Sequence, residues 1–235
     1  MSYNAITAAI QEQSNPTRAA HSMRFFKTAK GQYGEGDMFL GLTVPMQRVI
    51  AKKFHDLPIP AILRLLHSRY HEYRLIALLI LVLQFERGDD KAKKQIVDIY
   101  LGETKWINNW DLVDLSAYKI LGAWLLTHNR RVLTRLAKSS NMWERRLAIV
   151  STYAFILTGE LDDTFALSTR LLTDTHDLMH KAVGWMLREA GKKDVAQLEA
   201  FLHKHAKTMP RTMLRYSIEK FPEKKRKTYL LMKHL

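Results

Sequence analysis

Apolar residues recur at three- and four-residue intervals along almost the whole chain. No stretch alternates apolar and polar positions in the two-residue rhythm of a half-buried strand. The pattern predicts an all-α protein. Residues 3–13 and 16–27 read as two helices, the second opened by Asn15 as N-cap with Pro16 in its first turn. A glycine-rich loop, Lys30 to Asp37, follows, and helical signals resume behind Thr43 with Pro45 in the first turn. The longest apolar run, Leu75 to Leu83, is far shorter than the ~18 residues a membrane span requires. It reads as a buried helix.

Beyond residue 55 a short amphipathic helix is followed by a longer, more apolar one, repeatedly. The longer helices are expected to begin near His71, Asn108, Met142, Asp177 and Pro210, at intervals of 37, 34, 35 and 33 residues. Helix pairs at this interval predict an α-solenoid, because one pair cannot bury its apolar face alone. No TPR consensus residues recur, so the expectation is a HEAT-like α-α superhelix. It would form a single domain over 1–235, with N-terminal helices at about 1–55 and helix pairs from about 56 to 221.

Charge narrows the partner. Lys+Arg total 37 against Asp+Glu 23, a net +14, and +8 of it lies from His176 onward, much of it in Pro222 to Lys227. Such an excess suits a polyanion, either nucleic acid or an anionic membrane surface. The absence of cysteine removes disulfides, thiolate zinc sites and cysteine nucleophiles. The N-terminal stretch lacks the basic start and apolar core of a signal peptide, so a cytoplasmic location is expected.

The candidate chemistry lies in Asn108-Asn109-Trp110-Asp111-Leu112-Val113-Asp114, which reads as a helix start. Trp110 and Asp114 are four residues apart and so share a face. With about 100° per residue, both fall on the shoulder of the stripe Val113, Ala117, Ile120, Trp124. Asp111 projects roughly 160° from that stripe, nearly opposite the core, where a capping role in the first turn suffices. Arg146 and Trp185 border the apolar stripes of two later helices. Taken singly, a half-buried tryptophan is packing and a lone arginine is an ion pair.

Other constellations carry less. His176 and His180 share a helix face but have no evident third ligand, so no metal site is expected. The loop at 31–36 lacks the Lys-Ser/Thr of a P-loop and reads as a connector from which Tyr33 could reach a partner. No Ser/His/Asp set stands out.

Several segments together resemble the DNA alkylation repair family, the AlkD-type alkylpurine glycosylases, which are HEAT-like solenoids. They are Phe25-Phe26-Lys27-Thr28, Tyr33-Gly34-Glu35-Gly36-Asp37, Phe39-Leu40-Gly41, His71-Glu72-Tyr73-Arg74, Trp110 to Asp114, Asn141 to Ile149, and Lys181 to Glu189. The likeness spans roughly residues 5 to 220. It implies that Asp114 is catalytic, that Trp110 and Trp185 face the lesion, and that Arg146 contacts DNA. Lys181 and Arg188 lie in the last matching segment and are further candidates for DNA contact, as is Tyr33.

The resemblance implies a DNA glycosylase that hydrolyses the N-glycosidic bond of positively charged N3- or N7-alkylated purines, without metal or organic cofactor. Its expected partner is double-stranded DNA carrying alkylated bases, with no membrane and no obligate protein partner, in the cytoplasm and on the nucleoid. Base extrusion, general among glycosylases, and attack on a still-stacked lesion both stay open. Two other readings fit the composition: a non-catalytic HEAT-like homologue that binds branched or damaged DNA, and a protein-binding scaffold.

Overall fold

The structure, a computed structural model, describes residues 1–232. It is all-α, and among the described residues the β-structure is an isolated bridge between Met38 and Tyr70. No described helix is long and apolar enough to cross a membrane. The chain divides into two compact units, Met1–Ser116 and the remainder from Ala117.

The first unit holds α1 (Tyr3–Glu12), α2 (Pro16–Phe25), α3 (Val44–Lys53), α4 (Ile59–Leu66), α5 (His71–Arg87), α6 (Asp90–Gly102) and α7 (Trp110–Ser116), with a 3-10 turn at Thr104–Trp106. Asn15 caps α2 as its sequence predicts, its Oδ1 accepting the Arg18 N–H at 2.9 Å. The apolar run falls in α5, which is buried on all sides from His71 to Val82 and packs against α3, α4, α6 and α7. A helix buried all round has no polar face to show in its pattern.

The loop between α2 and α3 is tied to the start of α5. The Met38 N–H donates to the Arg69 carbonyl and the His71 N–H to the Met38 carbonyl, at 3.0 and 2.8 Å. The buried Glu72 carboxylate accepts the N–H groups of Leu40, Gly41 and Leu42 at 3.0, 2.8 and 3.3 Å. Gly41 has φ +85°, and a Cβ there would lie 2.3 Å from the Asn15 carbonyl, so the loop can pass α2 only at glycine.

The second unit begins with a π-helical turn, Tyr118–Gly122, closed by the Gly122 N–H on the Ala117 carbonyl at 2.9 Å. It continues with α8 (Ala123–Leu125), α9 (Arg131–Leu136), α10 (Met142–Ser151), α11 (Tyr153–Thr158), α12 (Asp162–Arg170), α13 (Asp177–Lys193), α14 (Val195–His205), α15 (Arg211–Ser217) and α16 (Glu223–Leu231). The central α13 packs against α10, α14 and α15. A Cβ on Gly184 would meet the Met213 carbonyl at 2.6 Å and Tyr216 Cβ at 2.5 Å, so α13 and α15 touch at that point through glycine.

The expected helix starts fall at His71, Trp110, Met142, Asp177 and Arg211. The expected alternation of short and long helices does not hold throughout. α5 and α13 have 17 residues each, but α15 has 7 against 11 in the preceding α14. α10 stops at Ser151, where the Ser151 and Thr152 hydroxyls turn back on the carbonyls of Leu147 and Ile149, both at 2.7 Å. The basic stretch at 222–227 is not an extended tail. It opens α16, anchored by the buried Tyr229 and by the ion pair of Lys225 with Glu199, while Lys227 pairs with Glu223 within the helix.

Candidate functional site

Four charged side chains meet inside the first unit, where the loop, α5 and α7 come together. The Asp37 carboxylate accepts from Arg74 Nη2 at 2.6 Å. His71 lies between two carboxylates: its Nε2 is 2.8 Å from Asp111 Oδ2 and its Nδ1 is 3.5 Å from Asp37 Oδ2. All four are buried. Burial by itself would strip the proton from His71, but the Asp111 charge and the hydrogen bonds to Asp111 and Asp37 outweigh it and lift the pKa to about 9. His71 is therefore an imidazolium at neutral pH, donating from both nitrogens. For Asp37, burial pushes upward and is overcome by His71 and Arg74, which hold it below the usual carboxylate range.

This placement corrects the helical-wheel position of Asp111. It is 5 % exposed rather than turned away from the core. The projection assumed one buried stripe, yet α7 has only 7 residues and His71 of α5 covers the side opposite that stripe. Asp111 keeps a local role as well, its Oδ1 accepting the Leu112 N–H at 2.9 Å.

Above the network stands a column of rings. Trp110 stacks on Phe26 (centroids 5.4 Å, planes 16°), Phe26 on Phe39 (5.0 Å, 20°), and Phe39 on His71 (4.7 Å, 19°). Phe25 meets Trp110 edge-on at 6.0 Å and is 58 % exposed. These rings, with Asp111, Asp114 and Glu72, line a cavity of about 410 Å³. The predicted pair is thus brought together: Trp110 and Asp114 are both half-buried, and both belong to the cavity wall. The Asp114 charge is also felt at Tyr100, whose hydroxyl is pushed well up by burial and by that charge, against the bond to Ser116.

The other predicted residues are distributed as follows. Tyr33 lies half-buried in the loop with its hydroxyl 3.5 Å from the Phe25 carbonyl. In the second unit, Arg146 is buried and donates to the Leu178 carbonyl, while Arg145 pairs with Asp174 at 2.6 Å. Trp185 is half-buried with its ring 5.9 Å from that of Tyr153. Lys181 pairs with Asp177 at 2.7 Å, and Arg188 with Glu189 and Glu219. His176 accepts the Leu178 N–H at 3.2 Å and His180 donates to the Asp174 carbonyl at 2.5 Å, so both serve the start of α13. No group of three metal-ligating side chains occurs among the described residues.

A family model described as "DNA alkylation repair enzyme" matches residues 6–221. The chain belongs to that family. DNA alkylation repair enzymes act on DNA, so the protein is a DNA repair enzyme with DNA as its substrate. Among solved structures it is similar to a predicted DNA alkylation repair enzyme from Enterococcus faecalis, at 18 % identity and TM-score 0.71, over 90 % of this chain and 98 % of that one. At that identity the likeness speaks for the fold. No protein of curated function matches.

The residues around the cavity that sequence reasoning does not single out are Phe26, Asp37, His71 and Arg74, and to Asp111 it gives only a capping role. One signal was available. The polar run His71-Glu72-Tyr73-Arg74 directly precedes the apolar run of α5, and charged groups at the entrance of a fully buried helix need partners there.

Proposed function

We propose that this DNA alkylation repair enzyme is a monofunctional glycosylase that hydrolyses the N-glycosidic bond of cationic N3- and N7-alkylpurines. The observation that carries the reading is that Trp110 and Asp114 share one cavity wall with stacked aromatic rings. Indole and phenyl faces attract cations, and a carboxylate beside them gives a positive centre its counter-charge.

The lesion's positive charge makes the base a good leaving group. As the C1′–N bond breaks, its electron pair returns to the base and oxocarbenium character builds on the sugar. At ~4 Å and an effective dielectric of ~20, Asp114 attracts that charge by about 4 kcal/mol. Felt only in the transition state, this supplies up to roughly a thousandfold in rate. Water then bonds to C1′ and its proton passes to Asp114 or solvent. In this reading Trp110 holds sugar and lesion, and Trp185 and Arg146 are DNA contacts of the second unit. Tyr33, Lys181 and Arg188 make further DNA contacts. Exchanging the exposed pair of Lys181 with Asp177 for phosphate costs little, since such pairs contribute about 0–1 kcal/mol. We read the chain as a single HEAT-like repeat domain, with N-terminal helices at about 1–55 and helix pairs from about 56 to 221. The chemistry requires no metal or organic cofactor.

The test is release of 7-methylguanine or 3-methyladenine from alkylated duplex DNA. Release by wild type and its loss in Asp114→Asn are expected. No release by wild type, or equal release by the variant, would sink the reading. DNA binding without any base release would instead favour the non-catalytic homologue.

A further inference from the structure

A second, smaller cavity in the first unit has a different chemistry. It measures about 290 Å³ and is lined by Glu35, Gly36, Asp37, Arg69, Arg74, Lys105, Trp106 and Asn108. Three of these are cations. Arg69 and Lys105 are exposed, and no ion pair engages either among the described residues. Lys105 rests over the Trp106 ring at 5.5 Å. Of the two carboxylates in the wall, Asp37 is taken up by Arg74 and His71, and Glu35 accepts the Gly31 N–H at 2.7 Å. The rim therefore carries Arg69 and Lys105 against the one carboxylate charge of Glu35, and so keeps an excess of one cation.

The buried atoms of the same wall carry a second, independent sign. Arg74 Nε and Trp106 Nε1 are buried donors without hydrogen-bond partners, and Asn108 Oδ1 is a buried acceptor without one. Buried polar groups are satisfied in the great majority of cases, and each exception asks for its missing partner. Here the two orphaned donors belong to residues of a wall that also holds two unpaired cations, and a half-turn of the Asn108 amide would add N–H groups to the set. An anion with several acceptor oxygens would suit the two exposed cations and, with a small shift of the side chains, the buried donors behind them. Guanidinium and indole N–H donors fit a phosphate group in particular.

The position relates this cavity to the aromatic one. Asn108 stands two residues before Trp110, and Asp37, in the wall of the smaller cavity, bonds His71, in the wall of the larger. We propose that the Arg69–Lys105–Trp106 cavity is a phosphate subsite that holds a backbone phosphate of the DNA next to the nucleotide in the aromatic cavity. This rests on DNA being the substrate and on the proposed seating of a nucleotide in the aromatic cavity, and not on the bond-breaking chemistry. Binding draws Lys105 off the indole ring and gives the Trp106 N–H its acceptor. The subsite fixes register on the strand without reading bases.

Two measurements test it. In the first, binding of an unmodified duplex is followed by fluorescence anisotropy from about 50 to 200 mM salt. One lost phosphate contact lowers the slope of log affinity against log salt by about 0.9. Arg69→Ala/Lys105→Ala is expected to show that loss, and Lys91→Ala/Lys94→Ala, with equal charge removed from α6, the wild-type slope. In the second, the Trp106 indole N–H resonance, assigned by its disappearance in Trp106→Phe, is followed during titration. It is expected to shift with duplex, to shift with millimolar inorganic phosphate, and to respond less in the Arg69→Ala/Lys105→Ala variant.

The proposal is overturned if saturating duplex leaves that resonance in place, or if both double variants have the same slope. It is also overturned if inorganic phosphate moves the resonance and duplex does not, since the cavity would then take a free anion. Because neither readout involves base release, an enzyme that passes both and releases no alkylpurine would refute the glycosylase reading alone.

Discussion

His71 Nε2 lies 2.8 Å from Asp111 Oδ2, which fastens the first turn of α5 to the first turn of α7 beneath the aromatic cavity. A buried charge pair of this kind is costly to break from one side. Removing one partner of such a pair costs about 3–5 kcal/mol, because the other is left charged and dry. His71→Ala should lose stability on that scale, seen as a lower urea midpoint with the m-value unchanged. Asp111→Asn, which keeps the shape and one acceptor, should lose less.

The pH dependence of stability follows from the same pair. Folded His71 keeps its proton to about pH 9, whereas an unfolded histidine releases it near 6.5. The pair's extra stability is therefore complete below about pH 6.5, declines as pH rises, and is gone once pH has passed about 9. Urea titrations between pH 6 and 10 should show this decline in wild type and a shallower one in Asp111→Asn. A wild-type profile that is flat across the window would contradict the imidazolium.

The two carboxylates of α7 should separate cleanly. Asp114→Asn is expected to slow single-turnover release of 7-methylguanine by a few hundred- to a thousandfold, with stability changed by less than about 1 kcal/mol. Asp111→Asn is expected to show the reverse, with a clear loss of stability and a smaller effect on release. The pair of variants measured side by side distinguishes support from chemistry.

Gly184→Ala forces a methyl group into the contact between α13 and α15, 2.5 Å from Tyr216 Cβ. Overpacking of this kind costs about 1–3 kcal/mol. A thermal melt of the variant should register the loss.

How much of this was legible in the sequence depended on the range of the interactions. Helix starts at Met142 and Asp177 and the cap at Asn15 are written locally, in side chains that satisfy amides two or three residues away. Trp110 and Asp114 could be paired because four residues of helix place them on one face. Asp111 could not be placed, because its burial depends on His71 arriving from another helix, and a projection of one helix carries no record of what lies against it. The stacking of Trp110 on Phe26 was hidden for the same reason: the loop that delivers Phe26 and Phe39 has no periodicity to read.

That loop leads to a last expectation. Glu72 holds the amide protons of three consecutive loop residues, Leu40, Gly41 and Leu42, on one buried carboxylate. In deuterated solvent these protons should be among the slowest to exchange in the first unit, alongside those of α5, although the segment has no regular secondary structure. Glu72→Gln should release them by orders of magnitude sooner, while most of α5 keeps its protection. The irregular backbone carrying Phe39 would then open as part of the core does, so access to the aromatic cavity would be governed by one buried carboxylate letting go.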